Sequence, residues 1–171
     1  MTLITVILVS CAPTMYRLEG KYLDAPYQIT STKSFDQVWT NIIDFFATKG
    51  ISIKVIDRSS GLIVSEKTSF KNSYSFEEKG KPKNPNAYIV LSAIEVNGVE
   101  LHPQTITAEW NIRIKTNDKG GTIVNVNMTN IQANYYQAPV RGTYLSQQER
   151  NYDFDGKSTG VFEKTISDQV K

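Results

Sequence analysis

Cysteine and histidine are nearly missing, with one of each in the chain. A lone thiol excludes a disulfide framework. One thiol and one imidazole also leave too few ligands for a structural zinc site or a Cys–His nucleophile pair. No cofactor or metal is therefore expected. No apolar run approaches the roughly 20 residues that a membrane-spanning helix needs. Charge of one sign is lacking too: 19 Lys and Arg face 17 Asp and Glu, for a formal net charge of +2. That balance by itself implies neither nucleic acid nor an anionic membrane as partner. No Lys or Arg precedes Arg17, whereas a signal peptide normally opens on a positive segment. What is present is ordinary for a folded protein. The 171 residues are 40% hydrophobic and 21% charged, which suits one domain burying about 70% of its unfolded surface.

Residues 2–9, Thr-Leu-Ile-Thr-Val-Ile-Leu-Val, form a short apolar run, followed by Ser10, Cys11, Ala12 and Pro13. The length matches the apolar region of a signal peptide. Leu8-Val9-Ser10-Cys11 resembles the lipobox of bacterial lipoproteins. The resemblance implies that residues 1–10 are removed and that the Cys11 thiol is alkylated by diacylglycerol. Cleavage before Cys11 would free an amine for a further acyl chain. At about 0.8 kcal/mol per buried methylene, several chains anchor far more firmly than one myristoyl group. The other reading of these residues is an N-terminal strand of Ile, Val and Thr, with Cys11 as a buried thiol. Residues 11–26 carry scattered polar residues with little periodicity and read as a tether. Residues 27–171 read as one folded domain.

Within that domain the clearest element is a helix. Ser34 and Gln37 form a capping box, and Phe35, Val38, Trp39, Ile42 and Phe46 recur at helical spacing. Ile43 and Phe45 widen the stripe, and Lys49 and Gly50 close it. Tyr27 to Lys33 precedes it as a strand. A hairpin follows through Ile51, Ile53 and Val55, the turn 57–61, and Leu62 to Val64. Lys71 to Asn86 reads as an exposed loop, Ala87 to Val96 as a strand, and Asn97-Gly98 as a tight turn. Ile106 to Lys115 alternates cleanly, with Trp110, Ile112 and Ile114 on its dry face, and returns through Ile123 to Ile131. A last helix spans Thr159 to Val170. The expected fold class is α+β, a two-layer sandwich: an antiparallel sheet of about six strands with a long N-terminal helix and a C-terminal helix on one face.

The helix around Trp39, the junction Gly50-Ile51-Ser52-Ile53 through Asp57, Gly61-Leu62-Ile63-Val64 and the C-terminal Ser158-Thr159-Gly160-Val161-Phe162-Glu163 resemble bacterial envelope lipoproteins. These have a helix-grip or TATA-box-binding-like domain. The C subunit of the outer-membrane β-barrel assembly machine is a more distant likeness. The similarity covers roughly residues 27–67 and 105–171, and it implies no catalytic residues.

Other constellations favour plain structural roles. Asn151-Tyr152-Asp153-Phe154-Asp155-Gly156 has the oxygen donors of a calcium loop, but the closing acid falls one residue late, at Glu163. An acidic turn fits better. His102 has no metal-sharing neighbour, and Glu77-Glu78 among lysines reads as solvated loop rather than an acid–base pair. The segment 132–157 is richer in recognition chemistry. Tyr135, Tyr136, Tyr144 and Tyr152 stand among polar residues, where tyrosine offers contact area with a polar tip. The expected function is that of a non-enzymatic protein, lipid-anchored in the bacterial envelope at the outer membrane. Its domain would bind an envelope protein through those tyrosines. The alternative is a carrier of a small apolar molecule or lipid, which requires a void of several hundred cubic ångströms beneath the long helix.

Overall fold

In the computed structural model, which describes residues 12–138 and 149–171, the first helix forms as its caps dictate. Helix α1 (Phe35–Lys49) is opened by Ser34, whose hydroxyl accepts from the Gln37 N–H while Gln37 accepts from the Ser34 N–H. Gly50 ends it in the left-handed region at φ 65°, a conformation that costs a residue with a β-carbon. Val38, Trp39, Ile42, Phe45 and Phe46 are buried.

The remaining elements are mostly strands. In chain order they are β1 (Thr14–Met15), β2 (Tyr27–Ser31), β3 (Ile53–Asp57), β4 (Leu62–Ser65), β5 (Thr68–Ser69), β6 (Tyr74–Glu78) and β7 (Lys81–Pro82). Then follow β8 (Ile89–Leu91), β9 (Ile94–Val96), β10 (Val99–Glu100), β11 (Thr105–Thr116), β12 (Thr122–Gln137), β13 (Arg150–Asp153), β14 (Gly156–Ser158) and helix α2 (Val161–Val170). These make three sheets. The largest has seven strands, ordered β13-β12-β11-β4-β3, with β2 also on β12 and β5 also on β11. The second is β14-β8-β6-β7, and the third is β1-β9-β10.

This overturns the expected α+β two-layer sandwich, an antiparallel sheet of about six strands with a long N-terminal helix and a C-terminal helix on one face; the two helices are short. Strands occupy 46% and helices 17% of the structure, and β6 pairs with β8 in parallel. The physical reason lies in stretches that read as loop or tether. Within 71–86, Tyr74, Ser75 and Phe76 form a strand on β8, and Ser75 and Phe76 are buried. The described part of the segment expected to be a tether lies on the body: Thr14 and Met15 pair with Glu95 and Ile94, and Leu23 bridges to Ser158.

The long β11–β12 hairpin organises the core. Its turn is closed by Asn117, whose side-chain oxygen accepts from the Lys119 and Gly121 N–H groups. The register runs from Thr116↔Thr122 to Glu109↔Thr129, then shifts so that Thr107 faces Gln132. Two residues of β12, Asn130 and Ile131, thus oppose one of β11, and Asn130 takes φ 53°. Before this bulge Val124, Val126 and Met128 face inward; after it Ala133 is the buried residue. The inner face meets both helices. Trp110 stacks on Phe162 with centroids 3.4 Å apart, and Phe45 and Tyr88 contact Phe162 edge-on. Residues facing the other way from β11 and β12 include Asn111, Arg113, Asn125 and Asn127, all at least partly exposed.

Candidate binding surfaces

Among the described residues no group of three or more His, Cys, Asp and Glu side chains could hold a metal. His102 lies near the surface, its Nδ1 3.2 Å from the Tyr74 hydroxyl and its ring 5.3 Å from that of Phe76. Asn151 to Gly156 runs from β13 through the short link Phe154-Asp155 into β14: Tyr152 and Phe154 are buried in the core, and the Asp155 N–H donates to Ser92 Oγ.

The three described tyrosines do not form one surface. The bulge at Asn130 turns Tyr135 toward β13, directly opposite Tyr152, with ring centroids 6.3 Å apart. Tyr152 is 7% exposed and Tyr135 is packed against the core. Tyr152 is therefore corrected from surface to interior. Tyr136, on the other face, is 44% exposed. Tyr144 and Cys11 lie outside the described residues.

Glu77 has a structural task that its lysine-rich setting hid. Its carboxylate accepts from the Glu19 N–H at 2.7 Å and from the Gly20 N–H at 3.2 and 3.3 Å. Burial works against its ionisation. The Tyr22 hydroxyl and the N–H groups of Glu19, Gly20 and Gly80 outweigh that and hold its pKa below the ordinary value. Burial, then the same carboxylate, raise the pKa of Tyr22. A β-carbon on Gly20 would lie 2.4 Å from the Gly80 carbonyl oxygen, so the approach of the two segments requires glycine. Upstream, the Tyr16 N–H donates to the Ala93 carbonyl at 3.0 Å and its hydroxyl to Glu95. Sequence reading missed this strap because its contacts are backbone pairings with distant residues, invisible to local periodicity. The Lys79-Gly80 pair between Glu78 and Lys81 was the available sign of a hairpin there.

Two further features are open to ligands or partners. Strand β3 is an outer strand of the seven-stranded sheet, and its Val55 and Ile56 are 39% and 55% exposed. Between the last turn of α1, β5 and α2 lies a pocket of about 180 Å³ lined by Phe45, Phe70, Tyr88, Trp110 and Phe162, with Lys49 at its edge. That volume is below the roughly 300 Å³ at which ordinary ligand sites begin. The Trp110 Nε1, Tyr152 hydroxyl, Glu163 Oε2 and Ser167 Oγ are buried with no hydrogen-bond partner among the described residues. No protein-family profile, curated protein or solved structure matches the chain.

Proposed function

We propose that this chain is a bacterial envelope protein, held to the membrane by lipid on Cys11, whose folded body is a non-catalytic module that binds another protein. The sequence Leu8-Val9-Ser10-Cys11 supports the anchor. The observation that carries the binding role is the β3 edge: an outer strand offers unpaired backbone groups, and two adjacent aliphatic side chains, Val55 and Ile56, stand exposed on it. Such an edge accepts an extended segment of a partner as an added strand, with backbone bonds supplying affinity and side-chain pockets specificity. Lys54, between Ile53 and Val55, discourages pairing with a second copy of the same edge. The partner surface moves accordingly from the tyrosine segment to β3, with Tyr136 the one described tyrosine of that segment well exposed to solvent.

The test is site-specific photo-cross-linking in native membranes, with the cross-linker at Ile56 and, as control, at Lys119 in the β11–β12 turn. The reading predicts one discrete protein adduct from position 56 and none from 119. It fails when the two positions give the same pattern, or when Val55→Asp with Ile56→Asp leaves the adduct profile of a cross-linker at Leu62 unchanged.

A further inference from the structure

The strap formed by residues 14–23 has a consequence for where the body sits. We propose that the β1-β9-β10 end of the molecule rests on the bilayer itself, with Met15 and Val99 entering the interface. This rests on the reading of Cys11 as the lipidated residue.

The leash is short. Three residue steps separate Cys11 from Thr14, and at about 3.3–3.6 Å per residue they span at most about 11 Å. Thr14 is not free to extend the leash, because it and Met15 are paired to β9 and Tyr16 is bonded to Ala93. Glu77 holds the next turn of chain at Glu19 and Gly20. An anchored molecule therefore cannot stand away from the membrane on a tether while this strap is closed. The β1 end is the part that must approach it.

The side chains at that end suit an apolar boundary. Val99, 62% exposed, and Met15, 59% exposed, are the two most exposed large hydrophobic residues among those described. Both belong to this one small sheet. Met15 sits opposite Ile94 and Val99 opposite Val96, so all four share a face. Ile94 is fully buried in the core. Met15 and Val99 instead stand exposed on the two outer strands, two strand spacings across and two residues along, or about 12 Å apart. Asn97 and Gly98, at φ 54° and 76°, make the tight turn that presents Val99. Charge does not favour attraction to anionic headgroups. In the groove beside this sheet five glutamates face three basic residues. The contact is thus apolar, and lipid charge should matter little to it.

The natively matured protein, reconstituted in phosphatidylcholine vesicles, tests this. Acylation would consume the only cysteine in the sequence, so Met15→Cys, Val99→Cys and Lys119→Cys each introduce a single free thiol. Lys119 lies in the turn at the opposite end of the hairpin from Thr105, about 40 Å along β11. Each variant is labelled with an environment-sensitive fluorophore, and quenching by spin-labelled phosphatidylcholine is read on vesicles recovered by flotation. Expected is at least threefold stronger quenching at positions 15 and 99 than at 119, unchanged when a third of the lipid is anionic. Flotation with equal quenching at all three positions overturns the seating while leaving the anchor intact. Protein that carries no lipid and does not float overturns the anchor, and the seating with it.

Discussion

Replacing Glu77 with alanine should open the N-terminal strap while leaving the body folded. The substitution removes the acceptor for the Glu19 N–H at 2.7 Å and for the Gly20 N–H at 3.2 and 3.3 Å. A hydrogen bond to a charged group contributes about 1.5–3 kcal/mol when buried. Glu19 is exposed and Gly20 only half-buried, so water replaces part of what is lost and screening reduces the rest. A net local loss of about 1–2 kcal/mol follows, a factor of roughly 5–30 in the opening equilibrium. Amide hydrogen exchange reads it: protection of the Gly20 and Tyr16 amides should fall by that factor. The Ile112 amide, in the middle of β11, should not change. Acid should mimic the substitution. Glu77 has a depressed pKa, so its contribution is complete above the ordinary carboxylate value and is lost as pH falls through the lowered one. Unchanged exchange at Gly20 and Tyr16 in Glu77→Ala would refute the clamp. Equal loss at Ile112 would show that the strap and body unfold together.

Three other outcomes follow from the core and from the β12 bulge. Phe162→Ala removes the ring stacked on Trp110 and should cost about 3–5 kcal/mol, lowering Tm by about 8–15 °C; calorimetry showing a shift under 3 °C would contradict the packing described. Glu163 is buried, and burial raises its pKa against the lowering influence of the Ser158 hydrogen bond. Its neutral form is the one the fold favours, so stability should decline as pH rises from the ordinary glutamate value through the raised one. Glu163→Gln should remove that slope in urea titrations at pH 4.5 and 7.5, and equal slopes in both proteins would exclude the assignment. At Asn130, φ 53° admits glycine but penalises a β-branched residue by about 1–2 kcal/mol; Asn130→Val should therefore melt below Asn130→Gly, and the reverse order would place the bulge elsewhere.

Individual elements, though not the fold class, were legible where the determining contacts are local. The capping box at Ser34 and Gln37, the Asn97-Gly98 turn and the alternation of Ile106 to Ile114 all produce the expected elements, because each is set by neighbours a few residues away. The balance of strand over helix was not legible. Tyr74 and Phe76 pair in parallel with β8, and Thr14 and Met15 pair with β9 some 80 positions on. No local pattern encodes such partners. The tyrosines failed for a different reason. A single extra residue at Asn130 exchanges the two faces of β12, so Tyr135 turns inward to meet Tyr152. Asparagine's tolerance of the left-handed region was the only sign of it.

Everything proposed about place and orientation passes through the sulfur of Cys11. Intact-mass and peptide spectrometry of the chain purified from its native membrane decides it. The expected species begins at Cys11 and carries a diacylglycerol thioether, with or without a further acyl group on the new amine. A chain retaining residues 1–10 with an unmodified Cys11 thiol would contradict the anchor and everything argued from it.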